Sequence, residues 1–220
     1  YYTAATSDTG FLFLGTTQSY GDIDGDGYIA KFDKNGNMEW EKTYGSIYFD
    51  RALTMHTNNS GEIYFSGIAA TSGFPVDPDN CFVTKTDPAG NVIWNKILAT
   101  PTDDCGCVTS LTENGNIVGA GCIDTTIAGA QRDYGYFFLM DSSGALLWRN
   151  VYPLQEEHDI IYNIREYPGN GFIAMGRVYD KNLNYERAGI FVHLDYNGNI
   201  ISEHRYAHPY GTLQMGFPDA

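Results

Sequence analysis

The sequence predicts an all-β protein, a single domain over residues 1–220. Glycine, asparagine and aspartate interrupt the chain every few residues, and no segment places apolar residues at helical spacing over about three turns. The stretches between these breaks are short and rich in β-branched and aromatic residues, as strands are. A segment of similar sequence also recurs at constant spacing along the chain.

The repeat is clearest around a turn that begins with aspartate. The first residues of these turns are 54 positions apart and are Asp33, Asp87, Asp141 and Asp195. A tryptophan follows at a fixed offset in the first three repeats, as Trp40, Trp94 and Trp148, and Ser202 takes its place in the fourth. A fixed period of this length is typical of repeat architectures.

Each repeat can be divided into four strands. In residues 50–103, two strands join at Ser60-Gly61, a long loop follows, and two further strands join through the turn "PAGN". A twisted four-stranded meander with two apolar faces needs a neighbour on each side, so the repeats predict the blades of a β-propeller. The tryptophans are expected to cover the gaps between adjacent blades.

The repeat units are approximately 1–49, 50–103, 104–158 and 159–211, and residues 212–220 are a tail or the start of a further unit. The four blades either close a small ring or form part of a larger propeller. The chain opens with Tyr1-Tyr2, without an initiator methionine or a signal-peptide pattern, as expected of a mature or excised segment.

The repeat resembles the bacterial SBBP-type propeller repeats and similar repeats of secreted Bacteroidetes proteins. The first two units carry the residues of that motif, namely Asp33, Gly36, Asn37, Trp40, Lys42, Tyr44, Gly45, Asp50, Ala52, Gly61, Ile63 and Gly67. The likeness is weaker at Ala145, Ala99, Pro153 and Ser202. The resemblance implies extracellular or cell-surface proteins, frequently exported by type IX secretion, whose propellers are binding or spacer modules. It implies no single activity.

Composition excludes two classes of partner. The chain has 13 basic and 27 acidic residues, a formal net charge of −14, which repels nucleic acid and anionic lipid. No apolar run approaches the ~18 residues that a membrane-spanning helix needs, so direct membrane insertion is not expected.

An aspartate-rich stretch, "DIDGDG", raises the possibility of calcium. Asp22, Asp24 and Asp26, with the carbonyl of Tyr28, resemble the ion-binding hairpin loops of integrin-like propellers. A helix-loop-helix calcium site is excluded, because about 23 Å of strand at ~3.3 Å per residue would separate Asp26 from Asp33. The alternative is a solvated acidic turn.

The four cysteines do not have the paired spacing of a zinc site. A hairpin turn at Asn114-Gly115 predicts that Cys107 faces Cys122, and the shared end of two neighbouring strands pairs Cys81 with Cys105. An even number of cysteines in disulfides suits an exported protein. Four buried thiols are the alternative.

The long loops 17–26, 71–80, 124–134 and 177–188 are expected to emerge on one face, with aromatic residues Tyr20, Phe74, Tyr134 and Tyr185 beside acidic and amide groups. This composition suits a protein or glycan ligand. The sequence favours a non-catalytic binding, adhesion or scaffold module. Two alternatives are a carbohydrate-active enzyme with its site on the same face, and a self-associating subunit of a surface layer or filament.

Overall fold

The computed structural model describes residues 2–19, 25–46, 50–70, 79–98, 104–127, 130–152, 160–180 and 186–206. These ranges form strands and turns arranged as four antiparallel four-stranded sheets, each with its strands in sequence order. The predicted all-β fold, a propeller-type arrangement of four four-stranded antiparallel blades, is confirmed. The described residues contain no helix that could cross a membrane.

Each sheet is one blade. Blade 1 contains β1 (Tyr2–Ala5), β2 (Phe11–Thr17), β3 (Asp26–Phe32) and β4 (Met38–Tyr44). Blade 2 contains β5 (Asp50–Thr57), β6 (Ile63–Ala70), β7 (Asp79–Thr86) and β8 (Val92–Leu98). Blade 3 contains β9 (Asp104–Leu111), β10 (Ile117–Ile127), β11 (Ala130–Met140) and β12 (Leu146–Tyr152). Blade 4 contains β13 (Ile160–Tyr167), β14 (Gly171–Asp180), β15 (Glu186–Leu194) and β16 (Ile200–Tyr206).

The aspartate-led turns join the third and fourth strands of every blade. In blade 1, the Asp33 carboxylate accepts the backbone N–H groups of Asn35 and Asn37, both at 2.8 Å, and the Asn37 amide at 2.9 Å. Gly36 follows with φ +84°, a conformation that residues with a Cβ rarely adopt. The sequence therefore specifies the turn locally, with little help from the rest of the fold.

The tryptophans join each blade to the next one. Trp94 donates its indole N–H to the carbonyl of Ser142 at 3.3 Å, and Trp148 donates to Tyr196 at 3.0 Å, the same position in the next turn. A Cβ added to Gly198 would lie 2.7 Å from the Trp148 ring. The glycine of each receiving turn therefore leaves room for the preceding blade's indole.

Three apolar clusters fill the interfaces between successive blades. Leu12, Leu14 and Ile29 of blade 1 pack on Met55 and Phe65 of blade 2. Two further clusters join blades 2 and 3 and blades 3 and 4, centred on Tyr64, Val83, Tyr136 and Phe138, and on Phe137, Phe172, Ile190 and Val192. The core therefore lies between the sheets, as the two apolar faces of each repeat predict.

A disulfide between Cys81 and Cys107 links blades 2 and 3, with a Cα–Cα distance of 5.2 Å. Both side chains are buried within the cluster that joins these blades. Cys122 is disulfide-bonded as well. The predicted pairings, Cys107 with Cys122 and Cys81 with Cys105, were therefore wrong.

The physical reason is a register shift of one residue. Thr112 donates its N–H to the carbonyl of Asn116 at 2.9 Å, so the hairpin turn is longer than the predicted two-residue turn. Cys107 consequently lies opposite Gly121, and a β-bulge between Gly121 and Ile123 contains Cys122. A slip of one residue moves a side chain to the other face of its strand.

Candidate functional site

The innermost strands of the four blades run in the same direction. Their carboxyl-terminal ends, at Ala5, Thr57, Leu111 and Arg165, line one cavity. In an antiparallel meander, the connections between second and third strands lie at the opposite end from these carboxyl termini. We call the end that carries these connections the loop face; they span residues 18–25, 71–78, 128–129 and 181–185.

The connections on the loop face differ in length. β10 continues to Ile127 and β11 begins at Ala130, so the third connection is much shorter than the predicted loop 124–134. Tyr134 consequently lies within β11 and is 8% exposed, so it does not stand on a loop. The other three predicted aromatics, Tyr20, Phe74 and Tyr185, fall outside the described residues.

Two buried carboxylates lie at the base of the loop face, where blades 1 and 2 meet. Asp26 begins β3 and packs against Gly45, where an added Cβ would lie 1.9 Å from its carboxylate oxygen. Asp50 begins β5, accepts the N–H of Ser46, and donates its own N–H to the Gly25 carbonyl at 2.9 Å. These contacts fix the backbone where the first loop-face connection enters β3.

The calcium hypothesis concerns the same region. Asp22 and Asp24 lie outside the described residues, while Asp26 and Tyr28 lie in β3. Tyr28 belongs to a middle strand, paired with Gly15 and Thr43, where a backbone carbonyl points at a neighbouring strand. A calcium ion would therefore depend on the three aspartates, and its binding stays a prediction.

Many charged groups in the described ranges have structural partners. Lys31 is buried and pairs with Asp8 at 2.6 Å and with Glu39. Burial opposes its charge, but bonds to both carboxylates outweigh burial and raise the pKa of Lys31. Lys85 pairs with Glu62 at 2.9 Å, in the corresponding place in blade 2. The lysine that these two repeats share, 54 positions apart, therefore stabilises the sheet.

The described ranges contain no group of three or more histidine, cysteine, aspartate or glutamate side chains that could hold a metal ion. His193 takes the place of the repeat's lysine, and its Nε2 lies 2.8 Å from the carbonyl of Asn170. The four turn aspartates are likewise engaged by their own turns. These side chains thus have structural roles.

Sequence reasoning missed the polar lining of the cavity at the other end of the inner strands. His56 and Arg165 lie there with Thr57 and Ser110. The available signal was that this inner-strand position does not repeat, since His56 and Ser110 occupy the place in blades 2 and 3 that Arg165 occupies in blade 4. In a repeat protein, a position whose residue type differs between the repeats does not serve the packing that all repeats share.

Comparisons with known proteins find structural likeness at low identity. No protein-family model matches the sequence, and no curated protein matches it. A protein of unknown function from Bacteroides caccae aligns over 89% of this chain and 72% of its own, at 13% identity and a TM-score of 0.47. A structure named as a complex of BT0996 and RGII aligns over 94% of this chain and 74% of its own, at 10% identity and a TM-score of 0.49.

A Synechocystis apocarotenoid oxygenase mutant also aligns, over 95% of this chain and 62% of its own, at 12% identity and a TM-score of 0.42. These proteins carry unlike descriptions, so the likeness assigns no activity to this chain. The four-bladed arrangement of its own sheets defines the chain as a β-propeller protein.

Proposed function

We propose that this protein is a non-catalytic binding module, exported to the cell surface, that contacts a protein or glycan partner with its loop face. The observation that carries the proposal is a set of four interlocked sheets that presents connections of different length at one end. Binding residues are commonly found on loops positioned by a rigid scaffold.

The contacts between blades support a rigid scaffold. Besides the indole contacts, Tyr44 donates its hydroxyl to the Gly90 carbonyl at 2.8 Å, and Lys42 donates to the side chain of Asn91 at 2.7 Å. Both residues follow Trp40 on β4, so the outer strand of blade 1 contacts blade 2 at several points. Such a framework holds the strand ends that carry the loop-face connections in fixed relative positions, as in other proteins that bind through loops.

Export is supported by the oxidised cysteines. Disulfides persist in oxidising compartments and are rare in the reducing cytosol. A buried disulfide between two blades also suits a protein that must survive outside the cell. The resemblance to secreted SBBP-type repeats leads to the same proposal.

A second candidate function, self-association as a structural subunit, is favoured by two outer strands. β8 exposes Ile93 and Ile97 at 52% and 47%, and β12 exposes Leu147 and Val151 at 52% and 45%. The corresponding positions of β4 are Glu39 and Thr43. Exposed apolar edge strands are a common route to association, which charged residues suppress.

The loop face is tested by a matched pair of double variants. Phe74→Ala/Tyr185→Ala removes two aromatics in its connections, and Phe11→Ala/Tyr167→Ala removes two exposed aromatics at the opposite end. Both are applied to an immobilised panel of neutral and acidic polysaccharides and cell-surface proteins. We expect the unmodified chain to bind a panel member, the loop-face variant to lose at least about tenfold in affinity, and the control to retain it.

The alternatives give different results. Release of new reducing ends from a bound polysaccharide would identify a carbohydrate-active enzyme and contradict the non-catalytic proposal. A light-scattering mass of two or more copies, reduced by Ile93→Lys/Leu147→Lys, would favour the structural subunit. Equal loss of binding in both double variants would overturn the assignment to the loop face.

A further inference from the structure

The carboxyl-terminal ends of the innermost strands surround a cavity of about 300 Å³ on the propeller axis. We call it the axial cavity; its lining comes from all four blades and includes Tyr2, His56, Thr57, Ser110 and Arg165. It opens at the end opposite the loop face, so what it binds is independent of the function proposed above. Its volume suits a ligand of a few rings at most.

Arg165 supplies the only charged group in the described lining of this cavity. Its guanidinium is exposed, and no carboxylate of the described ranges forms an ion pair with it. A guanidinium binds a planar carboxylate through two parallel hydrogen bonds.

His56 is held in a fixed orientation beside Arg165. Its Nε2–H donates to the Thr109 carbonyl at 2.5 Å, and its ring meets Tyr2 edge-on at a centroid distance of 5.8 Å. Burial lowers the pKa of His56, and the nearby Arg165 charge acts in the same direction. The neutral ring therefore has Nδ1 as a hydrogen-bond acceptor.

The remaining lining offers acceptors and an aromatic surface. Thr57 donates its hydroxyl to the Ala5 carbonyl at 3.0 Å, and Ser110 donates to the Leu111 carbonyl at 3.4 Å. Each hydroxyl oxygen retains lone pairs that can accept from a ligand hydroxyl. Tyr2 adds a partly buried aromatic ring of the kind on which an apolar ligand face packs.

We propose that the axial cavity is a second binding site, for a single uronic acid residue. Such a sugar combines one carboxylate, several hydroxyl donors and an apolar ring face. Arg165 binds the carboxylate, His56 and the two hydroxyl residues accept from the sugar hydroxyls, and Tyr2 packs on the ring. A neutral sugar lacks the first of these interactions, and a simple carboxylate lacks the others.

Isothermal titration calorimetry of the full chain with galacturonate, glucuronate, galactose and acetate tests this proposal. We expect saturable binding of at least one uronate and at least about tenfold weaker binding of galactose, which lacks the charge-assisted hydrogen bonds, and of acetate, which lacks the sugar contacts. Arg165→Gln should weaken uronate binding by about tenfold or more. Because Arg165 is exposed, this variant should remain folded.

Arg51→Gln is the matched control, because Arg51 is an exposed arginine at the opposite end of an inner strand. It makes the same change in net charge and should leave uronate binding unaltered. Tyr2→Leu should weaken the uronate a few-fold without affecting acetate. The proposal is overturned if neither uronate saturates, if acetate binds as tightly as the uronates, or if Arg165→Gln and Arg51→Gln have equal effects.

Discussion

Removal of the Cys81–Cys107 disulfide provides a quantitative test of how blades 2 and 3 are joined. The bond closes a loop with a sequence separation of 26 residues. Loop-closure entropy for that length corresponds to about 3.5 kcal/mol of stability at 25 °C. We therefore expect the double variant Cys81→Ala/Cys107→Ala to lose roughly that much free energy of unfolding in urea denaturation.

The single variants distinguish the covalent link from packing. Each single substitution breaks the same bond, so Cys81→Ala, Cys107→Ala and the double variant should be destabilised by nearly the same amount. If the double variant instead loses the sum of the two single losses, the side chains contribute through packing and the entropic argument fails.

A thiol titration under denaturing conditions tests the pairing itself. Since Cys122 is disulfide-bonded and Cys107 pairs with Cys81, the double variant should contain no free thiol. Had Cys107 paired with Cys122 and Cys81 with Cys105, the same variant would leave both remaining cysteines reactive. Two free thiols per chain would therefore refute the observed connectivity.

Three further predictions concern the turns and the tryptophans. Trp148→Ala should lower the free energy of unfolding by about 2–3 kcal/mol, because it removes a partly buried ring and its hydrogen bond to the Tyr196 carbonyl. A loss below about 0.5 kcal/mol in urea denaturation would contradict the proposed stabilising contact between blades 3 and 4. Ala145→Asn should add the amide bond to Asp141 that the other three turns have and raise stability by about 0.5–1 kcal/mol in the same assay; Asn199→Ala, which removes that bond, is the reverse control. Hydrogen bonds from Asn199 lower the pKa of Asp195 below its ordinary 3.8. The stabilisation that the ionised carboxylate gives the turn is therefore present above pH 3.8 and is lost as the pH falls through the lowered pKa. Asp195→Asn should weaken this acid dependence of the melting temperature, and an unchanged pH profile would contradict the role of Asp195.

The strands and turns could be predicted because their chemistry is local. An aspartate, a glycine three residues later and flanking alternation are enough to specify a hairpin, and the constant spacing extends that inference to all four blades. Where Asn is replaced by Ala145, the Asp141 carboxylate accepts the Ser143 hydroxyl at 2.6 Å, so even the departure is resolved within the turn.

The errors arose where longer-range pairing decides the result. One extra residue in the turn before β10 shifted the register, which the "NG" dipeptide alone does not reveal. Continued pairing of β10 with β11 as far as Ile127 and Ala130 placed Tyr134 in a strand. The axial cavity brings together residues more than 100 positions apart, such as His56 and Arg165, for which one sequence carries no spacing signal.

The indole contacts also give the array a direction. Trp94 and Trp148 each contact a glycine of the following blade. Among the residues that the structure describes, no atom lies within 4 Å of a Cβ added to Gly36 of blade 1, and blade 4 has Ser202 in place of a tryptophan. Each of these contacts therefore joins the fourth strand of one repeat to the aspartate-led turn of the next repeat. Recombination that moves a whole repeat carries an indole away from the glycine that it covers. The first three units each carry a tryptophan at this position and could replace one another in this contact. If the fourth unit, which has Ser202 there, preceded another blade, no indole would contact the glycine of that blade's turn.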